Sequence, residues 1–101
     1  MKIRKLILAL ETGIGGGSVS LIEGRREISG WTGESNLTGS EQILEAIQNV
    51  LEASQVGIEQ VGRILISEGP GSYTGLRIGH SIAKGLKFAS GVKIQSVNLL
   101  D

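Results

Sequence analysis

The spacing of hydrophobic positions changes along the chain, and each change marks an element. Residues 3–10 are nearly continuously apolar and end in "LILAL". That run predicts a strand covered on both faces. "ETGIGGG" (11–17) reads as a glycine-rich turn. "SVSLIEG" (18–24) and "RREISGWT" (25–32) then read as two more strands, completing an antiparallel meander. Residues 33–37 read as loop. From there the period becomes helical: Ile43, Leu44, Ile47, Val50 and Leu51 fall on one stripe and predict a helix over 38–53. Thr38 with Glu41 three residues on has the pattern of a capping box. A connector, "VGIEQVG", leads to "RILIS" (63–67), a fourth strand that reads as buried on both faces. After "EGPGSYTG" a second helix is predicted over 74–89, capped by Ser72 or Thr74. "VKIQSV" (92–97) reads as a fifth strand.

The order β-β-β-α-β-α-β predicts an α/β fold, a five-stranded mixed sheet with helices packed on it. This is the ribonuclease H-like arrangement, which also builds the lobes of actin-like ATPases. Such a fold does not by itself give a function. Asn98 and Asp101 have the pattern of a further helix start. Residues 1–101 therefore read as one lobe of a longer protein, or alternatively as a domain with a frayed tail.

Composition narrows the chemistry. Ten basic residues balance ten acidic ones, so no net field draws in nucleic acid or an anionic membrane. There is no cysteine and one histidine, which leaves a zinc site almost nothing to use and points to a reducing, cytoplasmic setting. "MKIRKLILAL" starts as a signal peptide would, but its apolar run spans only Leu6 to Leu10 before Glu11 ends it. No apolar stretch approaches the length of a membrane span.

The glycine loop departs from the phosphate-binding motifs. A P-loop needs lysine and Ser/Thr after its last glycine, and here Leu76 and Arg77 follow Gly75. A dinucleotide fingerprint needs a third glycine where Thr74 stands. Anion binding at the helix start stays open. The turn at 13–17 sits where actin-like ATPases place a phosphate hairpin; it reads more simply as a turn between two strands. Gly75, Gly79 and Ala83 recur every four residues and give the second helix a flat strip. Each interior glycine costs a helix about 1 kcal/mol relative to alanine, so the strip implies close packing. Two uses fit: packing on the protein's own sheet, or a helix–helix interface with a partner. Glu11, Glu41 and Glu68 lie at strand and helix ends that converge on such a fold, so a two-metal nuclease or an ATPase is the alternative reading.

The motifs also carry a resemblance. "GPGSYTGLRIG" (69–79) with "AKGL" (83–86) resembles the signature of the TsaB (YeaZ) family. "ILALETGIGGGSVSLIEG" is similar to that family's first hairpin, "GSEQIL" (39–44) to its first helix start, and "VKIQSVNLLD" to the close of its N-terminal lobe. The resemblance implies a catalytically inactive relative of TsaD with an actin-like fold. It implies a part in forming threonylcarbamoyladenosine at adenosine 37 of tRNA, in which TsaD carries out the transfer and holds metal and nucleotide. The partners it implies are TsaD and, through it, the ATPase TsaE, with a homodimer when alone; tRNA contact would be indirect, and no cofactor is implied. The contact would use the two helices. The residues it marks for that interface are Ile43 and Ile47 on the first helix, and Gly69, Pro70, Gly71, Ser72, Tyr73, Thr74, Gly75, Leu76, Arg77, Gly79 and Ala83 at the second. Gly39 stands where the family usually has histidine, and Glu11 where it has aspartate; both departures speak against metal or nucleotide chemistry.

Overall fold

The structure is a computed structural model, and it describes residues 5–34, 39–98 and 100. Its elements are β1 (Leu6–Glu11), β2 (Ser18–Glu23), β3 (Arg26–Thr32), α1 (Ser40–Ala53), a short 3₁₀ turn (Ile58–Gln60), β4 (Val61–Gly69), α2 (Tyr73–Ser90) and β5 (Lys93–Asn98). They form one five-stranded sheet in the order β3-β2-β1-β4-β5. β1–β2 and β2–β3 pair antiparallel, β1–β4 and β4–β5 parallel. This is the predicted mixed sheet, with β1 at the junction of its antiparallel and parallel halves.

Register explains how the core is filled. Leu8 lies opposite Leu21 on one side and Ile64 on the other. Leu10 likewise lies between Val19 and Ile66. All six project to one face of the sheet, and each is at most 2% exposed. Burying an aliphatic side chain of this size stabilises by about 1.5–3 kcal/mol. α1 covers this face over β2 and β3, α2 over β4 and β5. Their inward residues are Ile43, Ala46, Ile47, Val50 and Leu51, and Gly79, Ile82 and Ala83.

Here the expectation of strands covered on both faces is corrected. β1 alternates buried and half-buried along its length, and Leu65 of β4 is only half-buried. Both described helices lie on the same face. The opposite face presents Ala9, Leu65, Ser18, Ser20 and Val97 around a shallow hollow of about 190 Å³. An apolar run shows that a strand is central, and not how many faces are covered.

The two helices start on different caps. Thr38 lies outside the described residues. The described cap of α1 is Gly39, whose N–H donates to the Gln42 side-chain oxygen at 3.0 Å. Glu41 is exposed. Ser72 caps α2, its Oγ accepting from the Gly75 N–H at 3.2 Å. Gly91 closes α2 in the left-handed region at φ 77°, where its N–H donates to the Lys87 carbonyl at 2.7 Å. The further helix start expected at Asn98 and Asp101 lies partly outside the described residues; Asn98 Oδ1 accepts from the Leu100 N–H.

Candidate functional site: a glycine joint beneath a two-helix face

The two glycine-rich stretches of the sequence meet in space. Both sit at the C-terminal end of the central strands: "ETGIGGG" leaves β1, and "GPGS" leaves β4. Their contact is main chain on main chain. The Ser72 N–H donates to the Gly13 carbonyl at 2.7 Å. A Cβ on Gly71 would lie 2.6 Å from that same carbonyl oxygen, and a Cβ on Gly75 would collide with the Thr12 carbonyl oxygen. On the other flank, Gly16 lies against the Gly33 backbone so closely that neither has room for a Cβ. The turn is therefore held between the exit of β3 and the entry of α2.

Glu11 fixes the turn from within. Its carboxylate accepts from the Gly13 N–H at 2.8 Å and from the Ile14 N–H at 3.2 Å. A polar cleft of about 350 Å³ lies between this turn and the start of α2, lined by Thr12, Gly13, Ser72 and Gly75 among others. The Gly13, Ser72 and Gly75 amides that border it already donate within the chain. Thr12 Oγ1 is the buried side-chain oxygen without a hydrogen-bond partner among the described residues. It is turned against α2, since a Cβ on Gly79 would collide with it.

The three carboxylates of the enzymatic alternative are spread out. Glu11 is engaged by the turn, Glu41 is exposed on the first turn of α1, and Glu68 is exposed on β4. Among the described residues no three Asp, Glu, His or Cys side chains come together to hold a metal ion.

The candidate interface residues divide by direction. Ile43, Ile47, Gly79 and Ala83 are buried in the protein's own core, 1–4% exposed where a value is given. Leu76 lies beside Gly13 and Gly69, and Gly69, Gly71 and Gly75 belong to the joint. The strip of Gly75, Gly79 and Ala83 thus packs on the sheet, the first of its two possible uses. Placing it at a partner's surface is corrected, because that space is filled by Thr12 and Ile66. Pro70, Ser72, Tyr73, Thr74 and Arg77 are exposed; Ser72 is occupied as the cap.

The outward side of the helix pair carries what the strip does not. A groove of about 630 Å³ runs between the helices, walled by Ser40 and Leu44 of α1 and by Tyr73, Thr74, Arg77, Ile78, Ser81, Ile82, Gly85 and Leu86 of α2. Tyr73 is 74% exposed and Leu44 48%. Beyond the groove's end Phe88 is 96% exposed. Positions 73, 77, 81, 84 and 88 recur at steps of four, four, three and four, so they form one seam on the outside of α2. Arg77 stands over the Tyr73 ring, 5.6 Å from its centre, in cation–π geometry. Gly85 is the helix-interior glycine of α2 whose absent side chain meets nothing: a Cβ there would have open space. Leu44, Ser81, Gly85 and Phe88 of this face are not among the residues marked in the sequence. The signal was the seam spacing that joins Phe88 to Tyr73.

The fold and this face define an actin-like, ribonuclease H-like lobe built around a helix pair. Residues 37–101, from the approach to α1 through both helices to β5, match the family model of TsaD, tRNA N6-adenosine threonylcarbamoyltransferase. The tRNA threonylcarbamoyladenosine biosynthesis protein TsaB of Haemophilus influenzae is 34% identical over 94 residues, 93% of this chain and 39% of that protein. TsaB of Bacillus subtilis is 32% identical over 62 residues, 61% of this chain and 27% of that protein. The structure of YeaZ from Pseudomonas aeruginosa matches with a TM-score of 0.83 at 27% identity, over 93% of this chain and 44% of that one. T. thermophilus RuvC in complex with Holliday junction substrate matches with a TM-score of 0.57 at 13% identity, over 95% of this chain and 66% of that one, and shares the fold alone. The chain belongs to the TsaD-type family, on its TsaB (YeaZ) side. It spans about two fifths of the length of its Haemophilus relative.

Proposed function

We propose that this chain is a non-catalytic docking lobe that binds a TsaD-type transferase and supports threonylcarbamoylation of adenosine 37 in tRNA. Its relatives carry the name of that biosynthesis. One observation carries the docking reading: the chain's only tyrosine and only phenylalanine both project from the outer seam of α2. Exposed aromatic side chains beside an apolar groove are the usual anchors of an interface. Gly85 and Ser81 leave the seam low between them, so a partner helix can approach the α2 backbone there.

The same face serves a second copy when no partner is present, which gives a homodimer. A TsaE-type protein joins through the complex with the transferase. The tRNA is touched only indirectly, in keeping with the chain's charge balance. No described helix is long and apolar enough to cross a membrane, and the complex works in the cytoplasm. Catalysis is left to the partner, since Glu11 is committed to holding its own turn.

The test is direct. The TsaD-type protein of the same organism is mixed with this protein, and binding is followed by calorimetry. The wild type forms a complex, and Tyr73→Ala with Phe88→Ala weakens it at least about tenfold while the circular dichroism spectrum is unchanged. Absence of a complex with the wild type sinks the reading.

A further inference from the structure

The two helices of the docking face carry opposite charge. α1 holds Glu41, Glu45 and Glu52 and no lysine or arginine. α2 holds Arg77, Lys84 and Lys87 and no acidic residue. The whole chain is balanced, so the charge is segregated by helix and not in excess. All six side chains are exposed. None of them is ion-paired with another described residue; Glu52 accepts only from the Gln48 amide, at 3.2 Å.

Their spacing sharpens the pattern. Glu41, Glu45 and Glu52 share one crest of α1, and Arg77 and Lys84 lie on the α2 seam with Tyr73 and Phe88. Glu41 and Glu45 are like charges one turn apart, an arrangement that weakens a helix. Neither is ion-paired with another described residue, and Glu41 alone gains from its place in the first turn of the helix. Apolar contact is not directional, so the groove alone would accept a partner helix pair in either of two opposed orientations. Charge complementarity is what fixes orientation and suppresses the wrong encounter.

We propose that this face is ordered by charge for one orientation of its partner: the TsaD-type helix pair seated here places basic side chains over the α1 crest and acidic side chains over the α2 seam. The proposal rests on the docking reading above. The family match over residues 37–101 supplies the matching geometry, since a TsaD-type protein contains a corresponding helix pair. Reversing the α1 crest, or Lys84 on the α2 seam, would remove the attraction in the productive orientation without touching the apolar anchors, whereas Arg77 also stands over the Tyr73 ring.

The experiment compares association rates of wild-type protein, Arg77→Glu/Lys84→Glu and Glu45→Lys/Glu52→Lys with the TsaD-type protein of the same organism, by biolayer interferometry at low and high salt. Circular dichroism confirms that each variant is folded. Each reversal is expected to slow association about tenfold or more at low salt. The difference closes at high salt, where exposed charges are screened within a few ångströms. Wild-type rates in both reversals, with Phe88→Ala still weakening the complex, overturn the charge order and leave the docking reading standing. A wild type that forms no complex overturns both. The protein with all four changes supplies a further check. If it binds the TsaD-type protein normally, and self-associates but no longer mixes with wild type, the charge order belongs to a second copy and the proposal fails.

Discussion

On its inner side α2 carries Gly75, Gly79 and Ala83; on its outer side it carries Ser81 and Gly85 between Tyr73, Arg77, Lys84 and Phe88. Both sides are lined with small residues four apart, and from spacing alone they are equivalent. What separates them is what a side chain would meet. At Gly75 it meets the Thr12 carbonyl, at Gly79 the Thr12 hydroxyl and Ile66, and at Gly85 nothing. The inner glycines are therefore accounted for by the fold, which needs the helix backbone close to the first turn. The outer glycine is not, and its helix cost has no return inside the chain. A glycine's purpose is read from its neighbours, not from its period.

The strongest way to break this comparison is Gly75→Ala. Its Cβ collides with backbone, which cannot rotate aside, so α2 must shift off the turn. We expect a loss of about 2–3 kcal/mol, seen as a lower urea midpoint; an unchanged midpoint would show that the inner stripe has slack. Glu11→Ala tests the seat on which that stripe rests. Two turn amides lose their carboxylate, and stability should fall by about 1–2 kcal/mol in the same titration. Gly85→Ala should move the other way, gaining about 0.5–1 kcal/mol from helix propensity and reduced chain entropy. It should also weaken the complex with the TsaD-type protein, and a stabilised variant that binds normally would remove Gly85 from the interface. Phe88→Ala has the smallest expected effect on folding, within about 0.5 kcal/mol, because the ring is 96% exposed. A thermal melt that drops sharply in Phe88→Ala would place the ring in contact with the fold.

The architecture was legible in the sequence because each element announced itself locally. Ile43, Ile47, Val50 and Leu51 kept a helical period, the strand runs changed it, and Ser72 stood before the second helix as its cap. The covered face of the sheet was less legible. Ile7 is as apolar as Leu6 and Leu8, yet only the latter are closed over by α1 and α2. The interface residues were the least legible. Orientation of a helix about its own axis is set by tertiary packing, and Gly75–Gly79–Ala83 offers the same strip whether it faces sheet or solvent. Thr12 and Ile66 decide it, and Thr12 is far away in sequence. The cap at Gly39 was missed for a local reason: Gln42, one residue beyond Glu41, supplies the side-chain oxygen.

Glu11 has a consequence for whatever diffuses into the cleft beside it. Its carboxylate lies on the amides of Gly13 and Ile14, only two and three residues along the same chain. A tethered group of this kind acts at an effective concentration on the order of millimolar or higher. A free phosphate would have to displace it at those amides, and would meet a second negative charge on doing so. The turn thus keeps those two amides occupied with a carboxylate of its own chain.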